Sequence, residues 1–239
     1  MLSARVISVR PARSWSFSAA ADIEGTHFLA TGDLVELSNQ QLVECSTAND
    51  GCGGGWPMTA MQYVQHAGGV APLANMTYKM VNMEKSQVTP TCDKAAVNAQ
   101  IQDESAAAIT GWQVVAMSAD DEDRMATGLL RNGPLAAAFN SHGMDFYVNG
   151  IAGGMSDSDV ASASDQTARA ACDPEYIDHA VLIVGYGTQD DVDYWTVKNS
   201  WGTEWGESGY YRMVRGSNHC GIANFVVHSV VKKPNQPAR

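Results

Sequence analysis

The spacing of apolar residues changes character near residue 110, and this change limits the fold more than any other feature of the sequence. Before it, apolar positions recur at helical intervals. Ser14 to about Ala30 reads as a helix, with Trp15, Ala19, Ile23 and His27 near one face and Gly32 ending it. Ser38-Asn39-Gln40-Gln41 has a capping-box pattern that opens a second, short helix through Leu42 to Cys45. Gly51-Cys52-Gly53-Gly54-Gly55 follows as a tight loop. Pro57 then sits in the first turn of a third helix running through Met61, Tyr63 and Val64 to Ala67, where Gly68-Gly69 stops it.

After residue 110 the strand pattern takes over. Asp120 to Leu130 still reads as helical, with acids in its first turn facing the helix dipole. Asn132-Gly133-Pro134 breaks it. Leu135–Phe139, Ala180–Val184, Asp193–Asn199, Tyr210–Val214 and Phe225–Val227 are runs of strand length and composition. From Ala152 to Tyr176 the chain is rich in Ser, Asp, Ala and Gly and reads as a long surface loop. There is no internal repeat. Helices first and strands later imply an α+β protein with a helical lobe and a β lobe.

Composition narrows the function classes. The 239 residues carry 45% apolar and 17% charged side chains, as expected of a globular chain. The formal charge of -11 and the scattered Lys and Arg exclude the basic face that a nucleic-acid partner requires. No apolar run reaches the ~18 residues that span a bilayer, so a soluble chain with no membrane partner is expected. The Arg-bearing, acid-free start at Arg5, Arg10 and Arg13 lacks a signal-peptide apolar core, and chance accounts for it. The five cysteines Cys45, Cys52, Cys92, Cys172 and Cys220 allow at most two internal disulfides and leave one thiol over. Asn75-Met76-Thr77 is a glycosylation acceptor triplet, a weak pointer to a secretory compartment.

Four segments, in order, resemble papain and the lysosomal cathepsins. They are Trp15-Ser16-Phe17-Ser18-Ala19; Leu37 to Cys45 with Gly51 to Pro57; Asp178-His179-Ala180 through Gly187; and Lys198-Asn199-Ser200-Trp201 through Tyr210. With Asn218-His219-Cys220-Gly221-Ile222-Ala223 they cover about residues 14 to 229. The resemblance implies a papain-like two-lobe fold: a helical lobe over about 14–110, a β-barrel-like lobe over about 111–229, and an active-site cleft between them. Residues 1–13 would be a non-matching N-terminal segment and 230–239 a C-terminal tail. It also implies cysteine-type peptidase chemistry without a cofactor or metal. In that chemistry a thiolate attacks a peptide carbonyl, a histidine pairs with it and protonates the leaving amine, and an asparagine orients the imidazole.

By this resemblance His179 matches the histidine, Asn199 the asparagine and Trp201 the indole that shields their hydrogen bond. Gly54, Gly55, Trp56, Pro57, Ala138, Ile177, Asp178, Ala180, Trp201 and Phe225 would bind substrate, with Phe225 as the pocket floor. The nucleophile position departs from the pattern. Where the family reads Cys-Gly-Ser-Cys before the Trp, this chain reads Pro11-Ala12-Arg13-Ser14. Ser8 stands at the position of the Gln that donates to the oxyanion, a loss that can cost about 10²–10³ in rate. A serine hydroxyl ionises far less readily than a thiol, and Ser14 also reads as a helix N-cap. The resemblance pairs Cys45 with Cys92 and Cys172 with Cys220. It leaves Cys52 as the odd thiol, because its usual partner position is Pro11.

One incomplete N-terminus would explain all of these departures together. Three functions remain open on the sequence: a papain-like endopeptidase whose nucleophile is absent from this chain, a non-catalytic protein that keeps the peptide cleft, and a relative with a serine nucleophile. Peptide or protein substrates, cystatin-like or propeptide inhibitors, a monomeric state and a lysosomal, vacuolar or secreted location are what the resemblance implies.

Overall fold

The computed structural model describes residues 13–79, 91–102, 106–153 and 172–231. Ser8, Pro11, most of the expected 152–176 loop and the tail beyond residue 231 lie outside them. Helix α1 spans Ser14–Thr31 and ends on Gly32, whose φ of 87° places it in the left-handed region that closes helices. Helix α2, Asn39–Cys45, starts where the capping pattern indicated: the Ser38 hydroxyl accepts a hydrogen bond from the Gln41 amide. Helix α3, Pro57–Ala67, begins on its proline and ends on Gly68. Helix α4, Lys94–Ile101, has no counterpart among the elements read from the sequence; Asp93 caps it.

The second half builds one seven-stranded sheet. Its strands are β1 Gly111–Ala116, β2 Leu135–Phe139, β3 Ile151–Ala152, β4 His179–Gln189, β5 Val192–Lys198, β6 Tyr210–Val214 and β7 Val226–Val230, with helix α5 at Glu122–Asn132. They lie in the order β1-β7-β2-β4-β5-β6-β3. Among the described residues β1 does not pair with β3, so the sheet is open rather than closed into a barrel. All pairs are antiparallel except β3 with β6.

Both faces of the sheet are buried at β2, which explains why that strand reads as an unbroken apolar run instead of alternating with polar residues. Alternate residues go to opposite cores. Ala136, Ala138, Ala180 and Val227 pack with Trp15, Ala19, Ile23, Leu42, Met61 and Val64 of the helices. Leu135, Phe139, Val181, Ile183 and Val226 pack on the other side with Met125, Trp195 and Met213. Three of the residues of β2 and β4 turned toward the helices, Ala136, Ala138 and Ala180, are alanines, so α1 can lie close against the sheet there.

That contact is polar as well as apolar. Ser14, Ser18, Asp22 and Thr26 lie one turn apart on α1, and all four are buried. The Ala180 amide donates to Ser14 Oγ at 2.9 Å, and Ser18 Oγ donates to the Val181 carbonyl at 2.7 Å. The Ser229 amide donates to Asp22 Oδ1 at 2.7 Å, and Ser229 Oγ donates to Thr26 Oγ1 at 3.1 Å. Ser14 is therefore not the helix N-cap. Arg13 occupies that position, and the Ser14 hydroxyl serves β4 instead.

Two disulfides, Cys45–Cys92 and Cys172–Cys220, are formed, and Cys52 is a buried thiol outside both. Denatured, unreduced protein should take up one equivalent of a thiol reagent, and the folded protein should react far more slowly. Two or more equivalents would contradict the pairing.

Burial pushes the Asp22 carboxyl from 3.8 up to about 7, against the lowering pull of Ser229 and the Ala136 backbone. Burial also pushes Glu24 from 4.5 up to about 7. A raised folded-state pKa means that the fold binds the proton more tightly than the unfolded chain does. The resulting stabilisation is full below the ordinary pKa near 4 and disappears as pH rises through about 7. Stability should fall across that window, with each group contributing at most ~1.4 kcal/mol per pH unit. Asp22→Asn should flatten the melting-temperature profile and make the variant more stable than the parent at pH 8. An unchanged slope in the variant would show that Asp22 does not titrate in this window.

Candidate active site

The stripe on α1 sets its first turn beside the start of β4. His179 is the first residue of β4, directly across from Phe139 in the register, and is buried. Asn199 follows the last residue of β5, which pairs with β4, and its amide donates to the Gly209 carbonyl at 3.0 Å. The antiparallel pairing of β4 and β5 thus brings together two residues 20 apart in sequence: His179 Nε2 and Asn199 Oδ1 are 2.9 Å apart.

The hydrogen bonds determine the histidine tautomer. Asn199 Oδ1 accepts from the Ser200 amide at 2.8 Å, which identifies that atom as the oxygen. His179 Nε2 must then carry the proton and donate it to Asn199. In the neutral ring, Nδ1 holds the lone pair, and among the described residues it has no hydrogen-bond partner. Burial lowers the His179 pKa, opposed by Asn199, Asp178 and Asp145. The site therefore offers a neutral imidazole with its Nδ1 lone pair available. The Trp201 ring lies 5.2 Å from the imidazole, tilted by 38°, and Trp205 packs edge-on against Trp201 at 5.1 Å. These rings pack over the imidazole beside the His–Asn bond.

An open cleft of about 410 Å³ runs past these groups. Its wall includes Ser14, Trp15, Gly53, Gly54, Gly55, Trp56, Ala138, Ile177, Asp178, His179 and Ala180. Pro57, Trp201 and Phe225 are not part of that wall. Pro57 is buried in the first turn of α3, and Phe225 lies against Trp56 at 4.7 Å between ring centres. The Asp178 carboxylate accepts from the Ser141 amide at 2.8 Å and so is tied to the neighbouring loop. Ser8, expected at the oxyanion position, is outside the described residues.

The glycine rim of the cleft is held from two sides. Trp15 Nε1 donates to the Gly51 carbonyl at 3.3 Å, linking the rim to α1. From beneath, Asn49 Oδ1 accepts from the Trp56 amide at 2.8 Å. A Cβ on Gly55 would lie 2.5 Å from that oxygen, so a larger residue there would have to push Asn49 aside and disturb its hydrogen bond to Trp56. Gly54 has φ of 139°, and its Cβ direction is open space, which leaves its backbone accessible from the cleft. Asn49 went unremarked in the sequence because a lone Asn in a Gly-rich loop reads as an ordinary turn residue. Glu122 was likewise read only as a helix-dipole acid. It is buried and accepts from Trp195 Nε1 and the Gly216 and Asn218 amides at 2.7–2.9 Å.

Comparisons with known proteins agree with this geometry. A family model described as papain family cysteine protease matches residues 12–230. Cathepsin F of Mus musculus is 34% identical over 217 residues, covering 91% of this chain and 41% of that protein. Digestive cysteine proteinase 3 of Homarus americanus is 37% identical over 215 residues, covering 88% of this chain and 57% of its own length. The chain thus spans roughly half the length of such relatives. The structure of digestive procathepsin L 3 from Tenebrio molitor larval midgut superposes with a TM-score of 0.74 at 31% identity, covering 95% of this chain and 67% of that one.

The Ser14–Ala180 hydrogen bond yields a stability prediction. Ser14→Ala would leave the buried Ala180 amide without its acceptor and should cost about 1–3 kcal/mol in chemical denaturation. A variant as stable as the parent would show that water replaces the hydroxyl.

Proposed function

Because this chain belongs to the papain family of cysteine proteases, we propose that its cleft binds extended peptides and that His179 and Asn199 are its general base and orienting residue. Ser14 stands at the position of the nucleophile. The observation that carries this reading is the 2.9 Å His179–Asn199 hydrogen bond in a cleft whose wall also contains Ser14 and the glycine rim. The bare Nδ1 is the atom that would take a proton from a nucleophile at position 14.

The residue at position 14 governs whether the cleft cuts or only holds a peptide. A thiol there could pass its proton to Nδ1 and attack as a thiolate. The Ser14 hydroxyl is a much weaker acid, and it already accepts a hydrogen bond from the Ala180 amide. The chain as written therefore binds peptides and hydrolyses them poorly. The bonded neighbours Cys45–Cys92 and Cys172–Cys220 suit an oxidising lysosomal, vacuolar or secreted setting. A prosegment or a cystatin-like inhibitor would occupy the same cleft as substrate.

The pocket for the side chain two residues before the cut is formed by Trp56, Ala138, Ile177 and Ala180, with Phe225 packed behind Trp56. Medium aliphatic side chains should be preferred there over Arg, since a guanidinium buried against these groups would lack a partner.

Three proteins assayed on a fluorogenic dipeptide substrate test this reading. The parent should be nearly inactive, Ser14→Cys should gain measurable activity and reactivity toward thiol-directed epoxides, and Ser14→Cys/His179→Ala should lose both. Robust hydrolysis by the parent, abolished in Ser14→Ala, would instead identify a serine nucleophile. A folded Ser14→Cys protein that binds peptide without cutting it would favour a purely binding role.

A further inference from the structure

We infer that Asn75 is an attachment site for an N-linked glycan, carried on the helical side of the molecule and leaving the cleft open. Asn75-Met76-Thr77 is the only Asn-x-Ser/Thr triplet in the sequence, and its middle residue is not proline. Sequence alone does not show whether such a triplet survives folding on the surface, but the structure does. The chain turns sharply at Pro72–Asn75, where both the Asn75 and Met76 amides donate to the Pro72 carbonyl at 3.1 and 3.2 Å. Asn75 and Thr77, the two residues that the transfer requires, are exposed, while Met76 between them is half-buried.

The turn is anchored on both sides. Ahead of it, Leu37 bridges Pro72, and the Leu73 amide donates to the Glu36 carbonyl at 2.7 Å. Within it, Ser38 Oγ, the same hydroxyl that caps α2, donates to the Met76 carbonyl at 2.7 Å. Beyond it, Tyr78 is buried, and the Lys79 amide donates to Gln40 Oε1 at 2.8 Å. The acceptor triplet is thus held at the surface in an anchored turn. None of residues 72–77 belongs to the wall of the cleft.

A second, independent observation points to the same compartment. The two disulfides join residues 47 and 48 apart in sequence, and such bonds form where the secretory pathway oxidises thiols. Oligosaccharide transfer occurs in that pathway too. In the transfer, the Asn75 carboxamide nitrogen bonds to the anomeric carbon of the first sugar. The bond from that carbon to a lipid-linked pyrophosphate breaks, the pyrophosphate leaves with the electron pair, and the amide proton is lost to base. No oxidant or reductant is consumed.

The test is translation of the full chain, fused to a secretory leader, in the presence of microsomes. The parent should show a single-step mobility shift that an N-glycan-cleaving amidase reverses. Asn75→Gln and Thr77→Ala should each abolish the shift. Because Asn75 projects from a fixed turn, the amidase should also remove the glycan from folded protein without denaturant. No shift in the parent, a shift that persists in Asn75→Gln, or release only after denaturation would each overturn the inference.

Discussion

The polar stripe along α1 is the interaction on which the rest of the structure depends. A helix packed on a sheet is usually held by an apolar face. Here the side of α1 toward the sheet carries Ser14, Ser18, Asp22 and Thr26, each hydrogen-bonded to its own helix, to β4 or to β7. Hydrogen bonds have narrow distance and angle limits, so they fix the position of the helix along and across the strands more tightly than apolar contact would. The alanines at positions 136, 138 and 180 make room for this close approach.

This constraint places the site. With α1 pinned at Ala180 and Val181, its first residue must lie next to His179, one position earlier on the same strand. The β4–β5 pairing then fixes Asn199 against the histidine. The third member of the frame is the Gly51–Gly55 rim, tied to α1 through Trp15. One helix thus positions Ser14, the start of β4 that carries His179, and the glycine rim. A second buried acid, Glu122, does comparable work further away: it ties α5 to Trp195 of β5 and to the loop that carries Cys220.

Helices α1 to α3 were legible because their ends carry local signals: Gly32, Ser38, Pro57 and Gly68 act within a few residues of themselves. Strands β2, β4, β5 and β6 were legible from their composition. Helix α4 and strand β1 were missed. Only Val97 of α4 is buried, and β1 has an irregular burial pattern, so neither shows a clear period. His179 and Asn199 could be named from the resemblance, but their hydrogen bond depends on strand register, which no local motif encodes. The stripe on α1 was also invisible. Four polar residues one turn apart look like a solvated face, and Trp15, Ala19 and Ile23 on the adjacent face drew the reading toward an ordinary amphipathic helix.

The same stripe explains why a serine at position 14 is structurally comfortable. Its oxygen accepts the Ala180 amide proton within a buried interface, completing at the helix end a pattern that Ser18 and Asp22 continue. To act as a nucleophile, Ser14 would have to give its proton to a histidine whose protonated form is disfavoured by burial. A sulfur at this position would accept the Ala180 amide only weakly and would ionise far more readily, so the interface would lose a little of its hold on α1. On the proposed reading, stability and reactivity pull in opposite directions at position 14: the hydroxyl holds α1 better, and the thiol ionises more readily.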